Sequence, residues 1–194
     1  MSWQTLPENR LALRAVELLA AGGKTPLQML LWGPPGTGKT RLATRWLKRL
    51  REKKPEARLL RVSSQELSLR LRGVFVPPGQ QAPKSKLGSL RLADALVLED
   101  LHRLTAKRSV ALGRLLDHRL ARGRATLITS REPIALLSLD EGARGRLASG
   151  LVAAIKPLGL PSRMKALNKL APVGHKRLTD TKIANAGDFG TAHT

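Results

Sequence analysis

Apolar positions fall along this chain in two rhythms. Short, nearly unbroken runs suit buried strands: Leu27-Gln28-Met29-Leu30-Leu31-Trp32, Ala57-Arg58-Leu59-Leu60-Arg61-Val62, Ala95-Leu96-Val97-Leu98, Ala125-Thr126-Leu127-Ile128-Thr129 and Leu151-Val152-Ala153-Ala154-Ile155. Between them apolar residues recur every three or four positions, the period of a helix with one buried face. Residues 9–21 predict such a helix, with Leu11, Ala15, Leu18 and Leu19 inward, Asn9 as N-cap and Gly22-Gly23 as the stop. Over 41–50 the wheel separates Leu42, Ala43, Trp46, Leu47 and Leu50 from Arg41, Arg45, Lys48 and Arg49, and Lys53-Lys54-Pro55-Glu56 breaks the helix. Ser63-Ser64 is placed to cap a helix from about Gln65. Thr105 is placed to cap another, with Val110, Leu112, Leu115, Leu116 and Leu120 as its apolar positions and Gly123 as its stop. A helical turn or two is expected around 134–139, and a last helix over 162–170, just after Pro161.

Strands alternating with helices at this spacing predict a three-layer α/β domain built on a parallel sheet, over residues 1–160. Two stretches fall outside that pattern. Over 72–89 it dissolves into Gly, Pro, Gln, Ser and Lys, which predicts a flexible excursion. Over 178–194 the apolar period vanishes and arginine disappears, which predicts a disordered tail.

The first strand runs straight into Gly33-Pro34-Pro35-Gly36-Thr37-Gly38-Lys39-Thr40, a full match to the phosphate-loop pattern G-x-x-x-x-G-K-[ST]. Glycines let the backbone turn successive N–H groups toward one anion, and the helix that follows adds the partial positive charge of its N-terminus. In such a loop Lys39 reaches the β- and γ-phosphates and the Thr40 hydroxyl ligates Mg²⁺. Strand, glycine loop, basic amphipathic helix is the order that chemistry needs. A second centre follows from LVLED: Glu99 and Asp100 end an apolar strand, where Glu99 can hold the cation and Asp100 can polarise a water. Glu99 is one methylene longer than the aspartate usual at such a position. Thr129-Ser130 ends the fourth strand, and a hydroxyl there, with Ser130 as the candidate, can stand between the loop and the acids. Arg144 and Arg146 sit ahead of Leu147-Ala148-Ser149, either as ordinary surface arginines or projecting toward a neighbour's nucleotide. The four histidines lack ligand spacing, and His102 reads as a turn residue.

Charge changes the picture next. With 35 Lys+Arg against 14 Asp+Glu in 194 residues the net charge is +21, and no acid lies between Glu17 and Glu52, Glu66 and Asp94, or Glu141 and Asp180. Such a balance favours a polyanion, most simply DNA, unless it is a general arginine enrichment of the surface. Aromatics are 3% and tyrosine is absent, which argues against a base-stacking platform and for phosphate contacts without sequence selectivity. The absence of cysteine excludes a disulfide framework and suits a reducing, cytoplasmic setting. No apolar run reaches the length of a membrane span.

Together these residues resemble the AAA+ ATPases, and most closely the ATPase domain of the bacterial DnaA-type chromosomal replication initiators, with helicase loaders and initiator-like regulators as near relatives. The resemblance rests on Asn9-Arg10-Leu11-Ala12, the phosphate loop, PEARLLRVSSQEL from Pro55, ADALVLEDLHRL from Ala93, TLITSREP from Thr126 and RLASGLVAAIKPL from Arg146. It implies a five-stranded AAA+ core, ATP and Mg²⁺ as ligands, and ATP-dependent assembly on DNA or with replication proteins. It also implies a helical lid after Pro157, of which 161–177 is long enough only for a remnant. Arg146 lies in the segment that supplies a trans-acting arginine. Two positions depart from the family pattern. Arg131 stands where an acidic or amide sensor follows the Thr-Ser pair, and Gly150 stands where an arginine finger is expected. Three functions stay open on sequence: an ATP-binding switch with slow hydrolysis, a nucleotide-binding adaptor with little turnover, and a nonspecific binder of nucleic acid.

Overall fold

In the computed structural model, residues 5–21, 27–71 and 87–170 are described. The expected stop at Gly22-Gly23, most of the flexible excursion and the tail lie outside them. Five strands form one sheet: β1 (Gln28–Trp32), β2 (Leu59–Ser63), β3 (Ala95–Glu99), β4 (Ala125–Ser130) and β5 (Leu151–Ala154). Their order is β2-β3-β4-β1-β5, and every pairing is parallel. Helices α1 (Arg10–Ala21), α2 (Lys39–Lys53), α3 (Ser64–Arg70), α4 (Leu87–Leu92), α5 (Ser109–Leu120), α6 (Glu141–Ala148) and α7 (Leu160–Leu170) complete it.

Side-chain alternation along the strands divides the core into two layers. In β1, Leu30 joins the cluster of α3, α4, α5 and α6, while Met29 and Leu31 join that of α1 and α2. Because both faces are covered, the central strands read in sequence as continuous apolar runs. This is the expected three-layer α/β architecture.

The helix faces need correction in places. Leu11 is 73% exposed; α1 buries the expected Ala15 and Leu19 together with Ala12, Leu13, Val16 and Ala20. Val110 and Leu120 point outward from α5, which buries Leu112, Leu115 and Leu116. Thr105 gives no side-chain cap, and short 3₁₀ turns at Leu101–Arg103 and Ala106–Arg108 precede α5. Ser63 does cap α3, accepting the Glu66 N–H at 3.2 Å. Two helices were not anticipated. Helix α4 begins at Leu87, inside the stretch read as a loop. Helix α6 is nucleated by Asp140, whose carboxylate accepts the Ala143 N–H at 2.8 Å, although Gly142 and Gly145 weaken its helical signature. Pro161 falls within the first turn of α7 rather than before it, a position where its missing N–H costs nothing.

Helix α7 is tied back to the start of the chain by one carboxylate. Glu8 accepts the Gly159 N–H at 2.9 Å and the Ser162 hydroxyl at 2.8 Å, and the Glu8 carbonyl accepts the Lys156 N–H at 3.2 Å. The Gly159 N–H, a contact to the Glu8 backbone and the Ser162 hydroxyl lower the Glu8 pKa. A carboxylate with a depressed folded-state pKa stabilises the fold above its unfolded value, and that contribution is lost as pH falls through the folded value. Amide exchange over 160–168 should therefore accelerate selectively below the ordinary carboxylate range. Glu8→Gln should show the fast exchange already at neutral pH, with the amides of β1 unchanged.

Candidate nucleotide site

Neighbouring strands β3, β4 and β1 end side by side, so their carboxyl ends bring three predicted features into one place. The loop leaves β1 under close constraint. A Cβ on Gly33 would lie 2.2 Å from the Ile155 carbonyl oxygen, so only glycine fits where the loop passes the residue that follows β5. The Gly33 N–H donates to the Ser130 carbonyl at 3.2 Å, which fastens the loop to β4. Gly36 and Gly38 take φ of 76° and 92°, and α2 begins directly at Lys39. Pro34 and Pro35 form the outward arc, closed by the Thr37 hydroxyl donating to the Pro34 carbonyl at 2.8 Å. Thr40 occupies the first turn of α2, and its carbonyl accepts the Thr44 hydroxyl at 2.9 Å.

Lys39 is 8% exposed, and its ammonium donates to the Gly33 carbonyl at 2.5 Å and the Pro34 carbonyl at 2.8 Å. Burial lowers its pKa, Asp100 opposes that shift and Arg131 adds to it. Asp100 and Arg131 are thus the charges that act on the lysine. Asp100 itself has φ 56° and ψ 45°, the one non-glycine residue with positive φ among those described. Aspartate tolerates this left-handed conformation better than most residues, and such outliers gather at functional sites. The Asp100 N–H donates to the Thr129 hydroxyl at 3.2 Å.

The Thr129-Ser130 pair therefore divides its work. Thr129 reaches the acidic pair through its side chain, while Ser130 touches the loop through its backbone carbonyl and turns its hydroxyl to the Glu132 N–H at 3.0 Å. Glu99 is held from β2: Arg61 Nε donates to Glu99 Oε2 at 2.7 Å, and Glu99 Oε1 is buried with no hydrogen-bond partner. Sequence reading did not find Arg61, although a cation inside the apolar run LLRVS was a visible signal. His102 stands in the turn after Asp100, and its Nδ1 accepts the Arg131 N–H at 3.3 Å. Burial, partly opposed by Asp100, lowers the His102 pKa and favours the neutral ring.

Arg146 lies on α6, apart from the loop, and its guanidinium donates to Asp117 on α5 at 2.6 Å. The hydrogen bond to Asp117 and the negative charge of that carboxylate raise its pKa. At Gly150 a Cβ would come 2.7 Å from the Gln28 carbonyl oxygen, so β5 lies too close to β1 there for any side chain without a backbone shift.

A divalent cation fits the donors present. The orphaned Glu99 Oε1 is a buried oxygen in need of a partner, and Thr40 supplies a hydroxyl at the start of α2. Among the described residues no group of three or more acids or histidines could hold a metal by itself. Mg²⁺ keeps water and takes substrate phosphates beside one or two protein ligands, the number that Thr40 and Glu99 offer.

Sheet order, loop and acidic strand end define a P-loop nucleotide-binding domain of the AAA+ type. The family model of the bacterial DnaA ATPase domain matches residues 4–154, and the chain belongs to that family. Among solved structures it is similar to domain III of the Thermotoga maritima replication initiation protein DnaA, at 20% identity and TM-score 0.73, covering 92% of this chain and 75% of that one. A replication initiator DnaA bound to AMPPCP and single-stranded DNA aligns at 18% identity and TM-score 0.71, over 87% of this chain and 52% of that one. The DnaC helicase loader aligns at 20% identity and TM-score 0.61, over 81% and 94%. The chain thus spans about half the length of the longer initiator structures it matches. Comparison with curated proteins gave no match. Among the described residues no helix is long and apolar enough to cross a membrane.

Proposed function

We propose that this domain binds ATP with Mg²⁺ and uses its nucleotide state to switch assembly on DNA or with replication proteins, hydrolysing ATP slowly. The observation that carries this reading is the loop: a buried, charged Lys39 docked on its own carbonyls, beside a left-handed Asp100, at the ends of three adjacent strands. Gly33 to Thr40 would wrap the phosphates with backbone N–H groups, and Lys39 would exchange its two carbonyls for phosphate oxygens. Thr40 and Glu99 would hold the cation, which when bound neutralises charge developing on the phosphates. Asp100, fixed through its N–H by Thr129, would orient and polarise the attacking water. DNA would be met through phosphates by the surplus of basic residues, as a net charge of +21 favours. A relative that carries AMPPCP and single-stranded DNA together supports both ligands.

A second reading keeps nucleotide binding and removes turnover. It is favoured by the Arg146–Asp117 ion pair, which engages the candidate trans-acting arginine within its own chain, and by Gly150, where no arginine finger fits. Phosphate release decides between them. ATP turnover that falls at least about tenfold in Asp100→Asn supports hydrolysis at this site. Saturable ATP binding with no Asp100-dependent turnover supports the adaptor, and absence of ATP binding refutes both.

A further inference from the structure

Arg61 stands in the middle of β2, a strand whose other residues are Leu59, Leu60, Val62 and Ser63. Its register partner is Val97, two positions before Glu99 on β3, so Arg61, Val97 and Glu99 share the sheet face that α2 covers. From there Nε donates to Glu99 Oε2 at 2.7 Å, and Nη1 lies 3.4 Å from the hydroxyl of Thr44, one helical turn beyond Thr40. The two partners differ in exposure. The Glu99 side chain is 15% exposed and that of Arg61 is 42% exposed, so the carboxylate is the more enclosed partner.

The bond explains how a glutamate can serve where a shorter acid is usual. Free of restraint, Glu99 has one more rotatable bond than aspartate and two equivalent oxygens. With Oε2 engaged by Arg61, the carboxylate is fixed and its oxygens become distinct. Oε1 is buried and has no partner, a condition that is costly unless a ligand relieves it. A carboxylate presenting one oxygen suits the octahedral demands of Mg²⁺.

Charge gives the second half of the argument. A carboxylate beside a bound triphosphate repels it unless a cation intervenes. The Arg61 guanidinium is a permanent cation already paired to that carboxylate. We propose that Arg61 is a positioning residue of the nucleotide site: it holds Oε2 of Glu99, leaves Oε1 as the single cation-ligating oxygen, and offsets the carboxylate charge when nucleotide binds without a divalent ion. This rests on ATP binding at the Gly33–Thr40 loop.

The test is equilibrium binding of fluorescently labelled ATP to the full chain, in EDTA and in saturating Mg²⁺. Arg61→Met should weaken binding in EDTA by roughly tenfold or more, and by less than about threefold in Mg²⁺, where the ion replaces the lost positive charge. Adding Glu99→Gln to Arg61→Met removes the lone carboxylate and should bring the EDTA affinity back to within about threefold of wild type. Arg61→Lys, which keeps the charge and loses the planar fork, should fall between. Should Arg61→Met fail to fold, Glu99→Gln alone carries the test, because it leaves Arg61 unpaired and should tighten EDTA binding by about tenfold. Equal losses in both buffers, or an EDTA affinity that Arg61→Met and Glu99→Gln leave unchanged, overturn the role of Arg61. A wild-type chain that binds no ATP in either buffer refutes the ATP-binding reading itself.

Discussion

Arg119→Met is expected to lower the melting temperature on the order of 10 °C, the thermal equivalent of about 3–5 kcal/mol in a domain of this size. Arg119 lies on α5 and is 0% exposed. Its guanidinium donates to the Thr126 hydroxyl at 2.8 Å, to the Leu90 carbonyl at 2.6 Å, to the Ala93 carbonyl at 2.8 Å and to the Ala125 carbonyl at 2.6 Å. One side chain thereby joins α4, the turn before β3, the start of β4 and α5. Burial lowers its pKa to about 10, which still leaves it charged at neutral pH. Replacing a buried ion pair by apolar residues can be neutral when both partners are replaced, but here three of the four partners are backbone carbonyls and cannot be removed. Methionine would fill the volume and leave those acceptors buried and unpaired, each at about 1–3 kcal/mol. Arg119→Lys should recover only part of the loss, since an ammonium is a point donor that cannot span acceptors on three separate elements. Thermal unfolding followed by circular dichroism checks the order wild type, Lys, Met. An Arg119→Met variant that melts with wild type would show that the network contributes nothing net.

That arginine also marks the limit of what the sequence discloses. The strands were legible because each central run is apolar on both faces, and the loop because its chemistry requires particular residues in a fixed order. Glu99 and Asp100 followed from their place after the apolar run Ala95 to Leu98. Arg119 was not legible. In an arginine-rich chain nothing local distinguishes an arginine that faces three carbonyls and a hydroxyl from one that faces water. Arg61 and Glu99 lie 38 positions apart, and Glu8 and Ser162 lie 154 apart, so their pairing is a property of the sheet order and of the chain's return. Helix faces failed where periodicity was ambiguous: Leu11 and Val110 fit an apolar stripe yet sit outside, because Ala12 and Leu13, or Leu112 and Leu115, fill the space against the sheet. Helix α6 escaped because Gly142 and Gly145 interrupt the signal that Asp140 begins. The phosphate loop, by contrast, is a local object, and its backbone geometry is written in eight consecutive residues.

Lys39→Met is expected to weaken ATP binding by at least about a hundredfold with little change in melting temperature. The Lys39 ammonium donates to the Gly33 and Pro34 carbonyls, which hold its charge in place within the loop. Binding would replace two neutral acceptors by anionic ones, and charge-assisted hydrogen bonds are about twice as strong as neutral ones. Asp100 helps to keep the lysine protonated, while burial and Arg131 work the other way. Methionine keeps most of the buried stem and removes the charge, which separates the electrostatic contribution from packing. The carbonyls it abandons belong to a loop at the surface of the domain, where Pro34, Pro35 and Gly36 are exposed, and water can take the place of the ammonium for Pro34. The Gly33 carbonyl is more enclosed, and its loss sets the small cost in stability, about 1 kcal/mol. Calorimetric titration with ATP and Mg²⁺ measures the first quantity and thermal unfolding the second. If Lys39→Met binds ATP as tightly as wild type, the loop does not cradle the triphosphate. If it loses binding and stability together, the lysine holds the loop's shape, and its contribution to affinity is indirect.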